Sequence, residues 1–439
     1  MKLFVRTFGC QMNAHDSARI AEIMARAGYE LTEDPRDADV ALINSCTVRE
    51  KAWHKAISET GRLRLLKRPR RDVVVGIVGC VAEQEGERIF ALVPGVDLVV
   101  APDHYTELPA LVDAVRRERA PMAVRGFDDG APEGFLAADA SAARGEPSAF
   151  VTVMKGCDER CAYCIVPSVR GPERCRPAAD IAREVRALAD AGVREVTLLG
   201  QKVNAYAHGG DGFVALLEAL DATPGLERLR FVSPHPRHMT PGLTSSFGRL
   251  RALCESIHLP LQAGSDAVLE RMRRRYRAAE YLDVVERLRA ACPEISITTD
   301  IIVGYPGETE ADFEATLDVI DRARFNGAFS FKYSPRPGTP AAALADDVPP
   351  EEKARRLDLV HERIARLERT WRSALMGRVL EVLVAHEGRM PGQIGGRARN
   401  GQIVNFAAPV GEGFASLRGS LVDVEVTAVN PHSLEGVAV

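Results

Sequence analysis

The chain has 439 residues, a 46% hydrophobic share and a formal net charge of −4, a globular composition with room for two or three domain cores and no bulk charge signature of a nucleic-acid binder. The first apolar stretch covers only residues 3–5 and no apolar run approaches a membrane span, which argues against a signal peptide or membrane partner and for a cytoplasmic protein. An odd count of nine cysteines without an export signal argues against a disulfide framework and for reduced thiols available to metal.

The first segment alternates strand and helix: strands over 3–7, 40–44 and 73–78, helices over 17–27 and about 49–66. This pattern predicts a parallel α/β sheet. Cys10, Cys46 and Cys80 each follow one of the three strands, where parallel sheets bind ligands beyond their carboxyl ends. An open three-thiolate site is one reading; three unrelated small residues at strand ends is the other. Arg62, Arg64, Lys67, Arg68, Arg70 and Arg71 form a basic run that fits either phosphate contact or a solvated helix end. Residues 119–142 open an Ala-, Gly-, Asp- and Pro-rich stretch, read as a linker.

A strand over 150–154 then leads into Cys157, Cys161 and Cys164, a C-x3-C-x2-C loop. Three thiolates can hold a 4Fe-4S cluster through three irons and leave the fourth iron for a small molecule. A structural zinc knuckle is the alternative, but it wants four ligands, and neither Cys nor His stands just beyond Cys164. Further strands over 195–199, 229–232, 256–259, 295–303 and 328–333, with helices near 180–191 and 312–323, make six βα units and predict a complete or partial barrel. Its active site belongs at the carboxyl ends of the strands. Cys254 and Cys292 read as buried packing residues. Arg271, Arg273, Arg274, Arg275 and Arg277 form a second basic cluster around Tyr276.

Pro349 and Pro350 open a helix whose apolar residues Leu357, Val360, Ile364, Leu367 and Trp371 recur every three or four positions. Arg355, Arg356, Arg363, Arg366 and Arg369 on its other faces read as a solvated surface. From Arg378 onward glycines punctuate short alternating strands, predicting a small all-β, OB-like barrel of the kind that binds oligonucleotides. Arg397, Arg399 and Asn400 would face phosphate or base there, or simply form a polar turn.

The loop at 157–164, with Tyr163 between its last two cysteines, resembles that of radical S-adenosylmethionine enzymes. The resemblance implies that Gly200-Gln201, the stretch 258–265 with Gln262, and the stretch 300–308 with Gly304 bind the nucleoside beside Tyr163. The whole chain is similar to methylthiotransferases. On that resemblance the fold class is α/β, with an N-terminal parallel α/β sheet domain (1–118), a linker (119–142), a central partial (β/α)6 radical core (143–373) and a C-terminal TRAM-type RNA-binding barrel (376–439). Gly9-Cys10-Gln11-Met12-Asn13 resembles the branch acting on N6-(dimethylallyl)adenosine beside the tRNA anticodon, while Lys202 and Cys175 depart from that branch's usual Asn and Ser.

The resemblance implies two 4Fe-4S clusters and S-adenosylmethionine as cofactors. Cys157, Cys161 and Cys164 would hold the radical cluster, and Cys10, Cys46 and Cys80 an auxiliary cluster that delivers sulfur to carbon 2 of adenine. The expected partner is the tRNA anticodon loop and the expected state a monomer; the electron donor and sulfur source have no sequence signature. Sister branches acting on threonylcarbamoyladenosine in tRNA or on a ribosomal-protein aspartate stand as alternatives. A non-enzymatic iron-sulfur RNA-binding sensor is a further reading, against which the nucleoside stations count.

Overall fold

The computed structural model describes residues 1–48, 50–67, 72–127, 137, 140–141 and 143–439; Arg68, Arg70, Arg71 and much of the expected linker lie outside the described residues. The chain divides into two compact units, one of Met1–Ala142, Met154–Glu159 and Cys164–Arg176, the other of Ala143–Val153, Arg160–Tyr163 and Pro177–Val439.

In the first unit, strands β1 (Lys2–Phe8), β2 (Glu30–Leu31), β3 (Val40–Ser45), β4 (Val74–Val78), β5 (Leu98–Val100) and β6 (Met122–Val124) form a parallel sheet in the order β2-β1-β3-β4-β5-β6. Both central strands, β3 and β4, are buried along their whole length. Successive side chains point to opposite faces, so Ile43, Val75 and Ile77 pack into one apolar cluster and Leu42, Val74 and Val78 into another. The register pairs Phe8 with Ser45 and Asn44 with Val78, which brings the carboxyl ends of β1, β3 and β4 level. The first helix runs Gln11–Arg26, longer at its start than the periodicity predicts. Its first turns bury Asn13, His15 and Asp16, polar residues that an apolar-stripe reading assigns to solvent. The next helix is Glu50–Leu63 and tightens into a 3-10 turn at Arg64–Lys67.

The second unit holds strands β7 (Ser148–Thr152), β8 (Glu195–Leu199), β9 (Arg228–Phe231), β10 (Ser256–His258), β11 (Ser296–Val303) and β12 (Gly327–Lys332). Parallel pairing joins β7-β8-β9 and β10-β11-β12, and a parallel bridge from Leu229 to Leu253 links the two sets. Among the described residues no ladder joins β12 to β7, so the barrel is partial. Along β11, Ile297, Thr299, Ile301 and Val303 are buried, whereas Thr298, Asp300 and Ile302 on the other face are half-buried. Cys254 and Cys292 are buried, as the sequence predicts.

The helix Pro350–Ser373 packs on β12 and on the helix Glu310–Ala323. One arginine departs from the solvated-face expectation: Arg356 is buried, with Nη1 2.8 Å from Glu308 Oε2 and Nε 2.7 Å from Glu352 Oε1. The helix turns this residue inward because a buried carboxylate waits there, 48 residues away in sequence. Beyond it, β13 (Val379–Glu387), β14 (Gln393–Ala398), β15 (Ile403–Ala407), β16 (Leu421–Val429) and β17 (Leu434–Ala438) close a barrel in the order β13-β14-β15-β17-β16. Val382, Val384, Ile394, Phe406, Val424 and Leu434 are among its core residues. At Gly396 a Cβ would lie 1.8 Å from the Leu383 carbonyl oxygen, so only glycine lets β13 and β14 approach.

This barrel sits against the amino ends of β8, β9 and β10, the end opposite the expected active site. Arg230 at β9 donates to the carbonyls of Ala398 and Arg399 at 2.9 and 3.0 Å. Arg399 grips Glu255 through Nε and Nη2 at 2.9 Å, and Nη2 also donates to the Arg251 and Leu253 carbonyls. Of the three residues read as facing phosphate or base or else forming a polar turn, Arg399 is therefore engaged in docking the barrel. Among the described residues, no helix is long and apolar enough to cross a membrane.

Candidate metal and cofactor sites

In the first unit, Cys10 lies two residues past β1, Cys46 directly past β3 and Cys80 two past β4, all at one sheet edge. The backbone demands glycine before two of them. Gly79 has φ +93°, and a Cβ there would meet Asn44 Oδ1 at 2.4 Å; a Cβ on Gly9 would stand 2.8 Å from the Cys46 Cβ. Hydrogen bonding from the Cys46 thiol lowers the Cys10 pKa to about 6, aided by Arg170, while Cys46 itself is raised by Cys10, burial and Cys80. Burial raises Cys80 against the pull of Arg170.

A buried polar network backs this edge. Arg170, at the end of the helix Val166–Arg170, places Nε 3.1 Å from Cys80 Sγ and Nη2 2.7 Å from Asp16 Oδ2. Burial opposes ionisation of Asp16, but Arg170 and His15 outweigh it and hold the carboxyl well below its ordinary range. Asp103 meets Arg174 Nη2 at 2.5 Å and Lys155 Nζ at 3.6 Å. Asp16, Asp103, Lys155, Arg170 and Arg174 had no sequence signal as a group, because no local pattern joins them.

The C-x3-C-x2-C loop is anchored at both ends. Cys157 and Cys164 belong to the first unit, where Cys157 N donates to the Gly171 carbonyl at 3.1 Å and Glu173 N to Asp158 Oδ1 at 3.1 Å. Gly156 has φ +77°, and a Cβ would collide with the Pro172 carbonyl oxygen at 1.8 Å. Cys161 and half-buried Tyr163 belong to the second unit, where Ala162 N donates to the Met272 carbonyl and Ala341 N to the Ala162 carbonyl. There Arg274 is buried, with Nη1 3.3 Å from Cys161 Sγ, Nε 3.2 Å from Tyr276 Oη and Nη2 3.4 Å from the Pro260 carbonyl. The second basic cluster thus splits: Arg273, Arg275 and Arg277 are exposed, but Arg274 serves the interior.

Gly200 and Gln201 follow β8, Gln262 follows β10 and Gly304 follows β11, so all sit at the carboxyl ends of the parallel strands. Gln262 has φ +72°; its N–H donates to the Asp300 carbonyl and its own carbonyl accepts from Ile302, both at 2.8 Å. Gly304 has φ +69°, and its N–H donates to Glu308 Oε2 at 2.6 Å. Left-handed backbone at a non-glycine such as Gln262 is uncommon and clusters at ligand sites. Lys202, next to Gln201 in the chain, is buried.

Each triplet offers three thiols, a soft donor set of the kind that iron-sulfur clusters accept. Among the described residues no three His, Cys, Asp or Glu side chains converge to grip one metal ion. A cubane takes each thiolate to a different iron and needs no such convergence. Guanidinium N–H donors aimed at Cys80 and Cys161 suit thiolate ligands of a soft metal centre and not a hard cation.

Three family profiles match the chain: the radical SAM superfamily over residues 151–320, the uncharacterized protein family UPF0004 over 2–101, and the TRAM domain over 374–439. A protein of Burkholderia thailandensis named tRNA-2-methylthio-N(6)-dimethylallyladenosine synthase is 44% identical over 99% of this chain and 96% of its own length. A Cereibacter sphaeroides protein of the same name is 45% identical over 99% and 98%. Among solved structures, the radical S-adenosylmethionine methyltransferase TsrM of Kitasatospora setae, with cobalamin and a 4Fe-4S cluster bound, superposes with TM-score 0.59 at 14% identity, covering 78% of this chain and 77% of that one. The cobalamin-dependent radical enzyme OxsB gives TM-score 0.56 at 11% identity, covering 83% and 56%. These two likenesses concern the fold alone.

Proposed function

Because this chain belongs to the family of tRNA-2-methylthio-N(6)-dimethylallyladenosine synthases, radical S-adenosylmethionine methylthiotransferases, we propose a division of labour between its two cysteine triplets. The enzyme converts N6-(dimethylallyl)adenosine at position 37, next to the tRNA anticodon, to its 2-methylthio derivative. Family membership brings one 4Fe-4S cluster and S-adenosylmethionine. Cys157, Cys161 and Cys164 would hold that cluster, and Cys10, Cys46 and Cys80 an auxiliary one. When bound, the first supplies the electron that cleaves S-adenosylmethionine and the second supplies the sulfur.

The remaining work falls to the protein. The adenine C2–H has no acidity, so no general base is assigned, and side chains orient. Tyr163, Gly200, Gln201, Gln262 and Gly304 are assigned to S-adenosylmethionine, and Glu308, tied to both Gly304 and Arg356, braces that station. Phe329, 56% exposed, lies opposite Asp300 in the β11–β12 register, and its ring is 5.7 Å from His258. That face offers an apolar and polar surface to a base splayed from a single-stranded loop. Domain limits at 1–118, 119–142, 143–373 and 376–439, a monomeric state and a cytoplasmic location complete the reading.

The observation that carries the division of labour is the alignment of Cys10, Cys46 and Cys80 past three neighbouring parallel strands, backed by Arg170. Its test is nucleoside mass spectrometry after anaerobic incubation of cluster-reconstituted protein with S-adenosylmethionine, reductant, sulfide and dimethylallyl-modified tRNA. The methylthio adduct is expected with this tRNA and not with threonylcarbamoyl tRNA. An adduct only on the second would refute the substrate assignment.

A further inference from the structure

Each cysteine triplet contains one sulfur that receives a hydrogen bond from a buried guanidinium: Cys80 from Arg170 at 3.1 Å, and Cys161 from Arg274 at 3.3 Å. We propose that Arg170 and Arg274 are positioning residues that orient these two thiolates and set, separately, the reduction potential of the cluster built on each triplet. The inference rests on the two-cluster reading above.

Guanidinium is always charged and its N–H vectors are fixed in a plane, so an arginine locked on one side aims its remaining donors rigidly. Arg170 is locked by Asp16 at 2.7 Å. Arg274 is locked by Tyr276 Oη and the Pro260 carbonyl, and Tyr276 is itself pinned by donating to the Leu261 carbonyl at 2.6 Å. The backbone is bent to deliver Arg274: Arg273 and Arg275 on either side hold φ +58° and +56°, a left-handed conformation that is costly for arginine. Such paired strain persists only where the surroundings enforce it, and here it turns one arginine inward while its neighbours face solvent.

Reduction adds negative charge to cluster and thiolate sulfur. An N–H donor and a fixed positive charge stabilise that form and raise the potential. The two arginines differ in one respect that gives the inference its direction. Arg170 is paired with a buried carboxylate, so its charge is largely cancelled and its donor contributes most. Arg274 has only neutral oxygens beside the thiol among its described hydrogen-bond partners, so it contributes both donor and charge. Removal of Arg274 therefore shifts its cluster further than removal of Arg170 shifts the other.

The test uses full-length protein in two backgrounds, Cys157→Ala/Cys161→Ala/Cys164→Ala and Cys10→Ala/Cys46→Ala/Cys80→Ala, each reconstituted anaerobically, with iron and sulfide counted and the midpoint potential measured by EPR-monitored titration. In the first background, Arg170→Lys and the charge-balanced pair Arg170→Gln/Asp16→Asn should move the potential negative, and Arg274→Gln should leave it unchanged. In the second, Arg274→Gln should move it further negative, Arg274→Lys less, and Arg170→Lys not at all. Unmoved potentials at full iron content, or equal shifts of both clusters by either arginine, overturn the inference. So does loss of iron from both the Gln and Lys variants with a lowered unfolding temperature, which would make the arginine merely structural. Failure of the first background to take up iron with both arginines intact would instead refute the auxiliary cluster, and with it the Arg170 half; the second background still decides Arg274.

Discussion

Arg228 Nη1 donates to the backbone carbonyl of Arg397 at 2.6 Å, reaching from the radical core into the C-terminal barrel. Its Nη2 adds the carbonyl and carboxylate of Glu381 at 2.8 and 2.9 Å, and the side chain is fully buried. With Arg230 and Arg399 it fixes the barrel to the amino ends of the strands, so the barrel is a docked module and not a tethered one.

Arg228→Ala leaves two carbonyls without their charged donor, a loss of about 2–3 kcal/mol. Urea denaturation should show it, and limited proteolysis should release a fragment beginning near residue 374. A barrel as resistant as that of the unaltered protein would count against docking by this arginine.

Cys46→Ala and Cys161→Ala should fail differently. The first should still release 5′-deoxyadenosine from S-adenosylmethionine but give no methylthio product; the second should give neither. Full product from Cys46→Ala would remove Cys46 from the sulfur-delivering site. Chromatography of both products from one incubation reads the difference.

Arg378, Arg399 and Arg418 of the C-terminal barrel pair with Glu294, Glu255 and Glu146, whereas Arg273 and Arg275 of the second basic cluster are exposed, and charge reversal tests them as phosphate contacts. Arg273→Glu/Arg275→Glu should weaken tRNA binding and flatten the dependence of log K on log salt by about 1–2. Arg399→Ala should lower stability and leave that slope unchanged. Filter binding across a salt series separates the two.

His235 is buried near Arg274 and His238, and its Nδ1 accepts from the Arg237 N–H at 3.2 Å, so protonation breaks a turn and adds a charge beside other cations. Burial first, then Arg274, lowers its pKa to about 2. The folded value lies below the unfolded one, so this contribution to stability is complete above about pH 6.5 and is lost at about 1.4 kcal/mol per pH unit as pH falls towards the folded value. Urea midpoints at pH 7 and pH 5 should fall less for His235→Gln than for the unaltered protein.

The sequence by itself singled out the two cysteine triplets and determined the alternation of strand and helix that sets Cys10, Cys46 and Cys80 past strand ends, the six-stranded core and the small terminal barrel. These are written in local signals: the C-x3-C-x2-C spacing, short apolar runs of strand length, and the alternating valines Val422, Val424 and Val426. The start of the first helix was not, because Asn13, His15 and Asp16 are buried against polar partners and carry no apolar stripe.

Only the tertiary structure decided what the arginines do. Arg170, Arg228, Arg274 and Arg356 stand among many arginines of like neighbourhood, yet they are buried while Arg273 and Arg355 are exposed. Burying a guanidinium is tolerable only where an acceptor is already in place. Those acceptors lie far off in sequence: Asp16 154 residues from Arg170, Cys161 113 from Arg274, and Glu381 153 from Arg228. No local pattern spans such distances, so the difference between a solvated charge and a structural one arises only when the strands and loops that carry the acceptors have folded beside it.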